Sequence, residues 1–149
     1  QHGVRVRVRA EEDTPPLAPA AEASLFRIAQ EALTNALRHG RARSVEVVYT
    51  VAPSSASPDR VHLEVRDDGA GLPDGLDLST LAARGHFGLA GMRERAALLG
   101  GTLTVTGEGL CRTGGSLERP DGAADRGAAV HAGVPWATVA LGAPSGGGA

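Results

Sequence analysis

Apolar and polar residues alternate along this chain with two periods, one typical of strands and one typical of helices. Val4, Val6 and Val8 alternate with arginines, which predicts a half-buried β-strand. From residue 20 to residue 39 apolar positions recur at helical spacing, and Gly40 follows as a cap, so a helix is predicted there. The apolar face of that helix is predicted to contain Phe26, Ala29, Leu33, Ala36 and Leu37.

The rest of the chain predicts a sheet built largely from hairpins. Two β-type segments flank the turn-forming stretch APSSASPD and should pair antiparallel. A second helix is predicted for residues 88–99, and a helical turn near residues 78–84. Strands are predicted for residues 44–51, 61–67, 102–106 and 128–134. This order predicts an α/β fold, a two-layer sandwich in which a mixed, mostly antiparallel sheet is covered on one face by helices.

The length and composition are those of one domain, because 149 residues with 42% hydrophobic content can bury a core. We expect the folded unit to occupy residues 1–136, with a long loop at 107–127 that is rich in Gly, Asp and Arg. Residues 137–149 end in APSGGGA and are predicted to be a disordered tail. The chain begins with Gln1 and its one methionine is Met92, so we expect it to be a piece of a longer protein.

Charge and residue usage exclude several functions. A net charge of −2 argues against nucleic acid and anionic membrane surfaces as partners. No apolar run reaches the length of a membrane span, and a single cysteine, Cys111, fits a reducing cytoplasmic compartment. All 15 basic residues are arginines, so neither a Walker loop nor the strand lysine of a protein kinase is present. Any phosphate would have to be held by backbone amides, arginine or a metal ion.

Three polar residues of the first predicted helix fall in one stripe, since Glu31, Asn35 and Arg38 are three or four residues apart. The stripe is either a solvated polar face or one wall of a ligand site. In a ligand site, Asn35 could bind Mg²⁺ through its amide oxygen, and Glu31 could accept a proton. Arg38 and His39 could face phosphate oxygens, although His39 could equally complement the helix dipole.

Two glycine-containing stretches are also candidates for binding. VRDDGAGLP, residues 65–73, is either a tight turn or a turn that holds a ligand, because Asp-Gly pairs are common turn formers. Gly85, Gly88 and Gly91 lead into the second predicted helix, where free amide groups and the helix dipole favour an anion. Loop geometry and close packing would also explain these glycines.

Three separated segments together resemble a known family. LFRIAQEALTNALRHG, VRDDGAGLP and GHFGLAGMRERAALLGGTLTV are similar, in this order and spacing, to the N, G1 and G2 boxes of the GHKL ATP-binding domain. The resemblance covers about residues 3–135, and GLAGMRERA followed by LGG is similar to the subclass of nitrate-sensing and desaturase-regulating sensor histidine kinases. It implies the Bergerat fold, an α/β sandwich.

The resemblance also implies cofactors and residue roles. ATP and Mg²⁺ would bind, with Asp67 accepting a hydrogen bond from the adenine amino group beside Gly69 and Gly71. Asn35 would hold the magnesium ion and Glu31 would help to activate the transfer. Gly88 and Gly91 would cradle the phosphates, and the other nucleotide-binding residues expected are Arg38, His39 and Leu89.

The implied activity is transfer of the γ-phosphoryl group of ATP to a histidine on a dimerisation domain, followed by relay to an aspartate of a response regulator. No histidine here lies in a plausible dimerisation segment, so the acceptor is expected upstream and the whole protein is expected to be a homodimer. Where relatives have a short third glycine box, this chain has a long insertion, and Gly127 is the best match. No phenylalanine box is evident, and Phe87 could cover the nucleotide or serve in packing.

Three other functions stay open. An anti-sigma-type serine kinase or a stand-alone ATPase could use the same fold, but the GMRER segment disfavours the former and the lack of further domains the latter. A degenerate interaction module that no longer binds nucleotide is also possible in principle. The presence of Glu31, Asn35, Asp67 and the box glycines argues against it.

Overall fold

A computed structural model describes residues 3–10, 16–52, 60–71, 88–107 and 127–141. Within these residues, every helix and strand that the sequence predicts is present. The strands are β1 (Arg5–Ala10), β2 (Ser44–Ala52), β3 (Arg60–Asp67), β4 (Thr102–Thr106) and β5 (Ala129–Pro135). The helices are α1 (Pro19–Arg38), α2 (Leu89–Leu98) and α3 (Trp136–Val139). The helical turn predicted at 78–84 lies outside the described residues.

The five strands form one sheet in the order β1-β2-β3-β5-β4. β1 runs parallel to β2, and all the other neighbouring strands are antiparallel. β2 and β3 form the predicted antiparallel pair, with Val45 opposite Asp67 at one end. α1 packs on β3 and α2 packs on β4, and the two helices contact each other, so both cover the same face. The predicted fold class, a mixed and mostly antiparallel sheet with helices on one face, is confirmed.

β3 shows how the sequence pattern builds the two layers. Buried and partly exposed residues alternate along it without a break. Val61, Leu63 and Val65 are buried beneath the helices, and the residues between them are charged or polar because they face away from the core. The core is completed by Met92 and Ala96 of α2, both fully buried.

The face that α1 buries differs in part from the predicted one, and this corrects one expectation. The predicted apolar face was wrong for Phe26, which is 65% exposed, and for Leu37, which is also exposed. Leu25 and Ile28 are buried together with three alanines, whose short side chains let the helix backbone lie close to the sheet, and this set rather than Phe26 and Leu37 turns inward. The buried residues of α1 are Ala21, Leu25, Ile28, Ala32 and Ala36.

β1 is a strand, as predicted, but it is not half-buried. All six of its residues are exposed, on both faces of the strand, and the valine row includes Val8, which is 67% exposed. β1 is an edge strand, paired only through β2 with the rest of the sheet. The alternation of valine and arginine predicts a strand correctly, but it does not tell whether a helix covers the valine side.

The end of the described chain is ordered where a disordered tail was predicted. Val139 of α3 is fully buried, and its carbonyl oxygen accepts a hydrogen bond of 2.8 Å from the backbone N–H of Ala18. Leu17 and Ala140 form an isolated β-bridge. The prediction of a disordered tail is therefore wrong for residues 137–141. The parts of the predicted tail and loop at 142–149 and 108–126 lie outside the described residues.

Candidate functional site

A cavity of about 370 Å³ lies between α1, the turn after β3 and the start of α2. Its walls bring together residues from segments far apart in the sequence. Three polar candidate residues line it, Asn35, His39 and Asp67, and so do Gly71 and Leu89. The cavity therefore collects five of the predicted site residues.

Asp67 ends β3 on the side of the sheet that the helices cover. It is 7% exposed, and its Oδ1 accepts a hydrogen bond of 2.8 Å from the backbone N–H of Gly69. Its own N–H donates to the carbonyl oxygen of Ala128 at 2.9 Å. Burial raises the pKa of Asp67, and the nearby Asp68 adds to that rise, while the backbone groups of Gly69 and Ala128 oppose it. An acid buried in this way is a candidate for ligand recognition.

The turn that follows Asp67 is enclosed between two other glycines. A Cβ on Gly69 would collide with the carbonyl group of Gly40, and a Cβ on Gly71 would come within 2.9 Å of the carbonyl oxygen of Gly127. Gly127 itself lies against the Asp67 carbonyl group, with no room for a Cβ, and has a φ of +62°. Only glycine adopts that conformation without strain. Gly127, the predicted third box glycine, therefore packs directly on the G1 turn.

Only part of the polar stripe of α1 lines the cavity. Asn35 and His39 line the cavity, whereas Arg38 is exposed and does not line it. Glu31, one turn before Asn35, is packed against the α-carbon of Gly88, where a Cβ would overlap its carboxylate group. Glu31 is thus held at the start of α2, and a role for Arg38 stays a prediction.

The N-terminus of α2 lies at the end of the cavity, next to the carboxylate group of Glu31. Gly88 precedes the helix in the left-handed conformation, with φ of 63°, and no side chain of the described residues caps the helix. The first turn carries no acidic residue. Leu89 is buried and lines the cavity, and Gly91 lies in the first turn of the helix, where a Cβ would come within 2.9 Å of the guanidinium group of Arg95. A helix start of this kind attracts anions.

The sequence did not single out the apolar part of the cavity wall. Val65, Val105 and Val130 come from three adjacent strands, and Ala32 and Ala36 come from α1. Such an apolar surface suits an aromatic ring rather than a phosphate. The signal was present in the strand alternation, because all three valines occupy helix-facing positions, but nothing in a single sequence shows that they meet at one cavity.

Some candidate residues lie outside the described part of the chain. They include Gly85, Phe87 and Cys111, and all of the segment 72–87 between the two glycine boxes.

Comparison with known proteins shows which family contains this chain. A family model described as "Histidine kinase-, DNA gyrase B-, and HSP90-like ATPase" matches residues 20–137, from the start of α1 to α3. The chain belongs to this ATPase family. The resemblance inferred from the three sequence boxes is therefore confirmed.

Curated relatives of this ATPase domain are sensor kinases. The signal transduction histidine-protein kinase/phosphatase UhpB of Salmonella typhimurium is 37% identical over 94 residues, which are 63% of this chain and 17% of that protein. The nitrate/nitrite sensor protein NarX of Escherichia coli is 41% identical over 92 residues, 61% of this chain and 14% of that protein. The chain thus spans about a sixth of the length of these two relatives.

Solved structures share the fold of this ATPase domain. The histidine kinase domain of the Erythrobacter litoralis EL346 blue-light activated histidine kinase matches with a TM-score of 0.64 at 24% identity, over 91% of this chain and 52% of that one. The ATP binding domain of PrrB from Mycobacterium tuberculosis matches with a TM-score of 0.55 at 20% identity, over 89% and 79%. Among the described helices, none is long and apolar enough to cross a membrane.

Proposed function

We propose that this chain is the ATP-binding catalytic domain of a sensor histidine kinase. The observation that carries the proposal is the buried carboxylate of Asp67 in the wall of a cavity that also reaches the start of α2, in a chain of this ATPase family. The relatives UhpB and NarX are a histidine-protein kinase and a sensor protein by name. Their names favour a sensor kinase over the anti-sigma kinase and the stand-alone ATPase.

Adenine would lie on the apolar wall of the cavity, beside Asp67. A carboxylate can accept about four hydrogen bonds, so the bond from Gly69 leaves capacity for the exocyclic amino group of the base. In this buried setting a hydrogen bond to the carboxylate is stronger than it would be in water. Val65 and Val130 would contact the ring face, because both line the cavity near Asp67.

The phosphates would extend from the adenine toward the start of α2. Gly88, Leu89 and Gly91 would offer backbone amides there, and the helix dipole would favour the negative charge. Arg38 and His39, at the C-terminal end of α1, would approach the phosphate oxygens from the other side.

The residues present fit a magnesium ion that is bound together with a nucleotide. The amide oxygen of Asn35 is a hard ligand in the cavity wall, and Mg²⁺ commonly takes one or two protein oxygens together with substrate phosphates. Within the described residues, no group of three or more His, Cys, Asp or Glu could hold a metal ion without such help. A bound Mg²⁺ would neutralise part of the phosphate charge.

Glu31 would serve the transfer step. In that step the bond between the γ-phosphorus and its bridging oxygen breaks, a bond forms between phosphorus and the acceptor histidine nitrogen, and ADP leaves. The incoming imidazole loses a proton, and Glu31 would accept it, because its carboxylate lies at Gly88, where the γ-phosphate would arrive.

The partners of the proposed domain would be its own dimerisation domain, which carries the acceptor histidine, and a response regulator that takes the phosphoryl group on an aspartate. The whole protein would be a homodimer, and this domain would face the cytoplasm, where ATP is available. Neither nucleic acid nor a membrane surface is a proposed partner, because the chain has a net charge of −2.

Calorimetric titration of the chain with a non-hydrolysable ATP analogue tests the proposal. The wild-type chain should bind, and Asp67→Asn should weaken binding by about 10- to 100-fold, the worth of a hydrogen bond to a charged group. Glu64→Gln is the matched control, since it changes an acid of the same strand on the opposite face, and it should bind as wild type does. Failure of the folded wild-type chain to bind would favour the degenerate interaction module instead.

The metal and the general base can be tested separately. Addition of Mg²⁺ should tighten binding of the analogue to the wild type, and Asn35→Ala should remove most of that gain. In a protein that joins this chain to its dimerisation domain, Glu31→Gln should bind ATP normally but phosphorylate the histidine about 100-fold or more slowly. Normal phosphorylation by Glu31→Gln would remove Glu31 from the mechanism.

A further inference from the structure

Asp68 is a buried acid that does not line the cavity, and the proposed mechanism gives it no role. It is 3% exposed, and its Oδ1 accepts two backbone hydrogen bonds, from Arg43 at 2.8 Å and from Ser44 at 2.9 Å. Its own N–H donates to the carbonyl oxygen of Ser44 at 3.2 Å. A buried carboxylate is costly unless it is hydrogen-bonded, and all three bonds join Asp68 to the point where the chain enters β2, at Arg43 and Ser44.

Arg43 ends the connection between α1 and β2, residues 39–43, and Ser44 begins β2. The connection also holds the G1 turn at a second point, because the N–H of Ala70 donates to the carbonyl oxygen of Gly40 at 2.8 Å. Gly69 packs so closely on Gly40 that a Cβ would collide with it. Asp68 and Ala70 therefore fasten the turn on both sides of Gly69.

The same connection continues into the helix that carries the proposed magnesium ligand. The carbonyl oxygen of Asn35 accepts hydrogen bonds of 3.0 Å from the N–H groups of both His39 and Gly40. Gly40 in turn accepts from Ala70 of the turn. Hydrogen bonds thus run from α1 through the connection to the turn that contains Asp67.

The connection includes a backbone conformation that needs support. Arg41 has a φ of +51°, the left-handed region that residues other than glycine seldom adopt. Such a conformation costs roughly 1 kcal/mol and persists where surrounding bonds determine it. The two backbone N–H groups that donate to Asp68 belong to Arg43 and Ser44, two and three residues after Arg41, so Asp68 is placed to fix the path of the connection.

We propose that Asp68 is a positioning residue for adenine selectivity: it fastens the G1 turn to the α1–β2 connection and so holds the carboxylate of Asp67 where the adenine amino group arrives. The inference rests on the proposed function. A hydrogen bond weakens steeply as distance and angle depart from their optimum, so a site of this kind needs its groups held within about 0.5 Å. Asp67 recognises the base, and Asp68 keeps Asp67 in place.

The test compares two ligands that differ at the group Asp67 would recognise. ADP carries the exocyclic amino group, whereas inosine diphosphate carries an oxygen there, so their affinity ratio reports on the contact with Asp67. The wild type should prefer ADP by about 10-fold or more, and Asp67→Asn should lose most of that preference. This first comparison tests the proposed function.

Two variants of Asp68 then test the positioning role. Asp68→Ala removes the acceptor, so affinity for ADP should fall about 10-fold while affinity for inosine diphosphate changes little, and the ratio should collapse toward one. Asp68→Asn keeps an oxygen that can accept both amides at Oδ1, so it should restore the wild-type ratio. All titrations are made well below the unfolding temperature of each variant. Asp68→Ser, whose hydroxyl is too short to reach both amides, replaces Asp68→Ala if the latter does not fold.

The outcomes separate the two proposals. If the wild type and Asp67→Asn behave as expected but Asp68→Ala keeps the full preference for ADP, then Asp68 stabilises the fold only and the inference is wrong. Equal losses for both ligands in Asp68→Ala would also overturn it, because a general structural role lowers both affinities together. If the wild type itself does not distinguish the two ligands, the assignment of Asp67 fails, and the role of Asp68 fails with it.

Discussion

The two faces of the sheet differ in where strand β3 places its charged residues. On the helix-covered face of β3 the residues are Val61, Leu63, Val65 and then Asp67. On the open face of the same strand every residue is charged or polar. A charged residue is ordinary on the open face, but on the covered face it breaks the pattern at the point where the strand meets the cavity. Such local violations of folding rules are typical of functional sites.

Two acids of β3 show the energetic side of this difference. Glu64, on the open face, forms an ion pair with Arg66, and both side chains are partly exposed. Asp67, three residues later, is buried, and burial raises its pKa. Water can solvate Glu64, whereas Asp67 depends on protein groups for its solvation. An acid on the covered face therefore costs solvation free energy that an acid on the open face does not.

The largest expected effect is on stability, and it separates the faces directly. Leu63→Ala removes a buried side chain from the covered face and should lower the free energy of unfolding by about 2–5 kcal/mol. Glu64→Ala, at the next position on the open face, should cost about 1 kcal/mol or less, because it breaks a partly exposed ion pair. Urea denaturation measures both. Similar losses for the two variants would contradict the division into a core face and a solvated face.

A smaller effect concerns Asp67, where function and stability should separate. Burial raises its pKa above the usual value for aspartate, about 3.9, so the folded state binds more protons between the usual and the raised value. The stability that protonation gives is complete below the usual pKa and is lost as pH rises through the raised one. Asparagine does not titrate and still offers an oxygen to Gly69.

Asp67→Asn should therefore be as stable as the wild type at pH 7, or more stable, although it binds nucleotide poorly. Its unfolding free energy should also lack the decrease that the wild type shows as pH rises above about 4. Denaturation of both proteins across pH 3–8 measures this, with Glu64→Gln as the control from the open face. A large loss of stability at pH 7 would mean that the carboxylate is better solvated by Gly69 and Ala128 than its burial suggests.

Local pattern predicted the elements of this fold well, because each depends on residues close in sequence. α1, α2 and the strands follow from periodicity and glycine caps. α3 was missed, since Trp136–Val139 is a single turn and too short to show a period. The exposure of β1 and the outward position of Phe26 were also missed, because both depend on where a helix lies over the sheet. Tertiary packing decides such features, and the local pattern of one sequence does not predict it.

In the candidate site, too, the features that depend on local sequence were predicted and those that depend on tertiary contacts were not. The sequence identified Asp67 and Asn35 because their motifs are local, and the structure brings both to one cavity. No role was predicted for Asp68, and Gly40 was predicted only as a helix cap. Asp68 and Gly40 act through contacts between residues more than twenty positions apart in the sequence. The hydrogen bond from Arg43 to Asp68 is one of these contacts. Roles that depend on such long-range contacts are not visible in a local motif.

The smallest expected effect lies on the open face, where His62 Nδ1 and His131 Nε2 are 3.0 Å apart and share a hydrogen bond. Burial lowers the pKa of His62, and the charges of His131 and Arg60 act in the same direction against an opposing Glu64. The unfolded chain then binds more protons near pH 6, so stability should fall as pH drops below about 6.5. His62→Gln should flatten that fall in urea denaturation at pH 5.5 and 7.5. It should leave nucleotide affinity unchanged, because His62 lies on the opposite face from the cavity, and a changed affinity would show that the two faces are coupled.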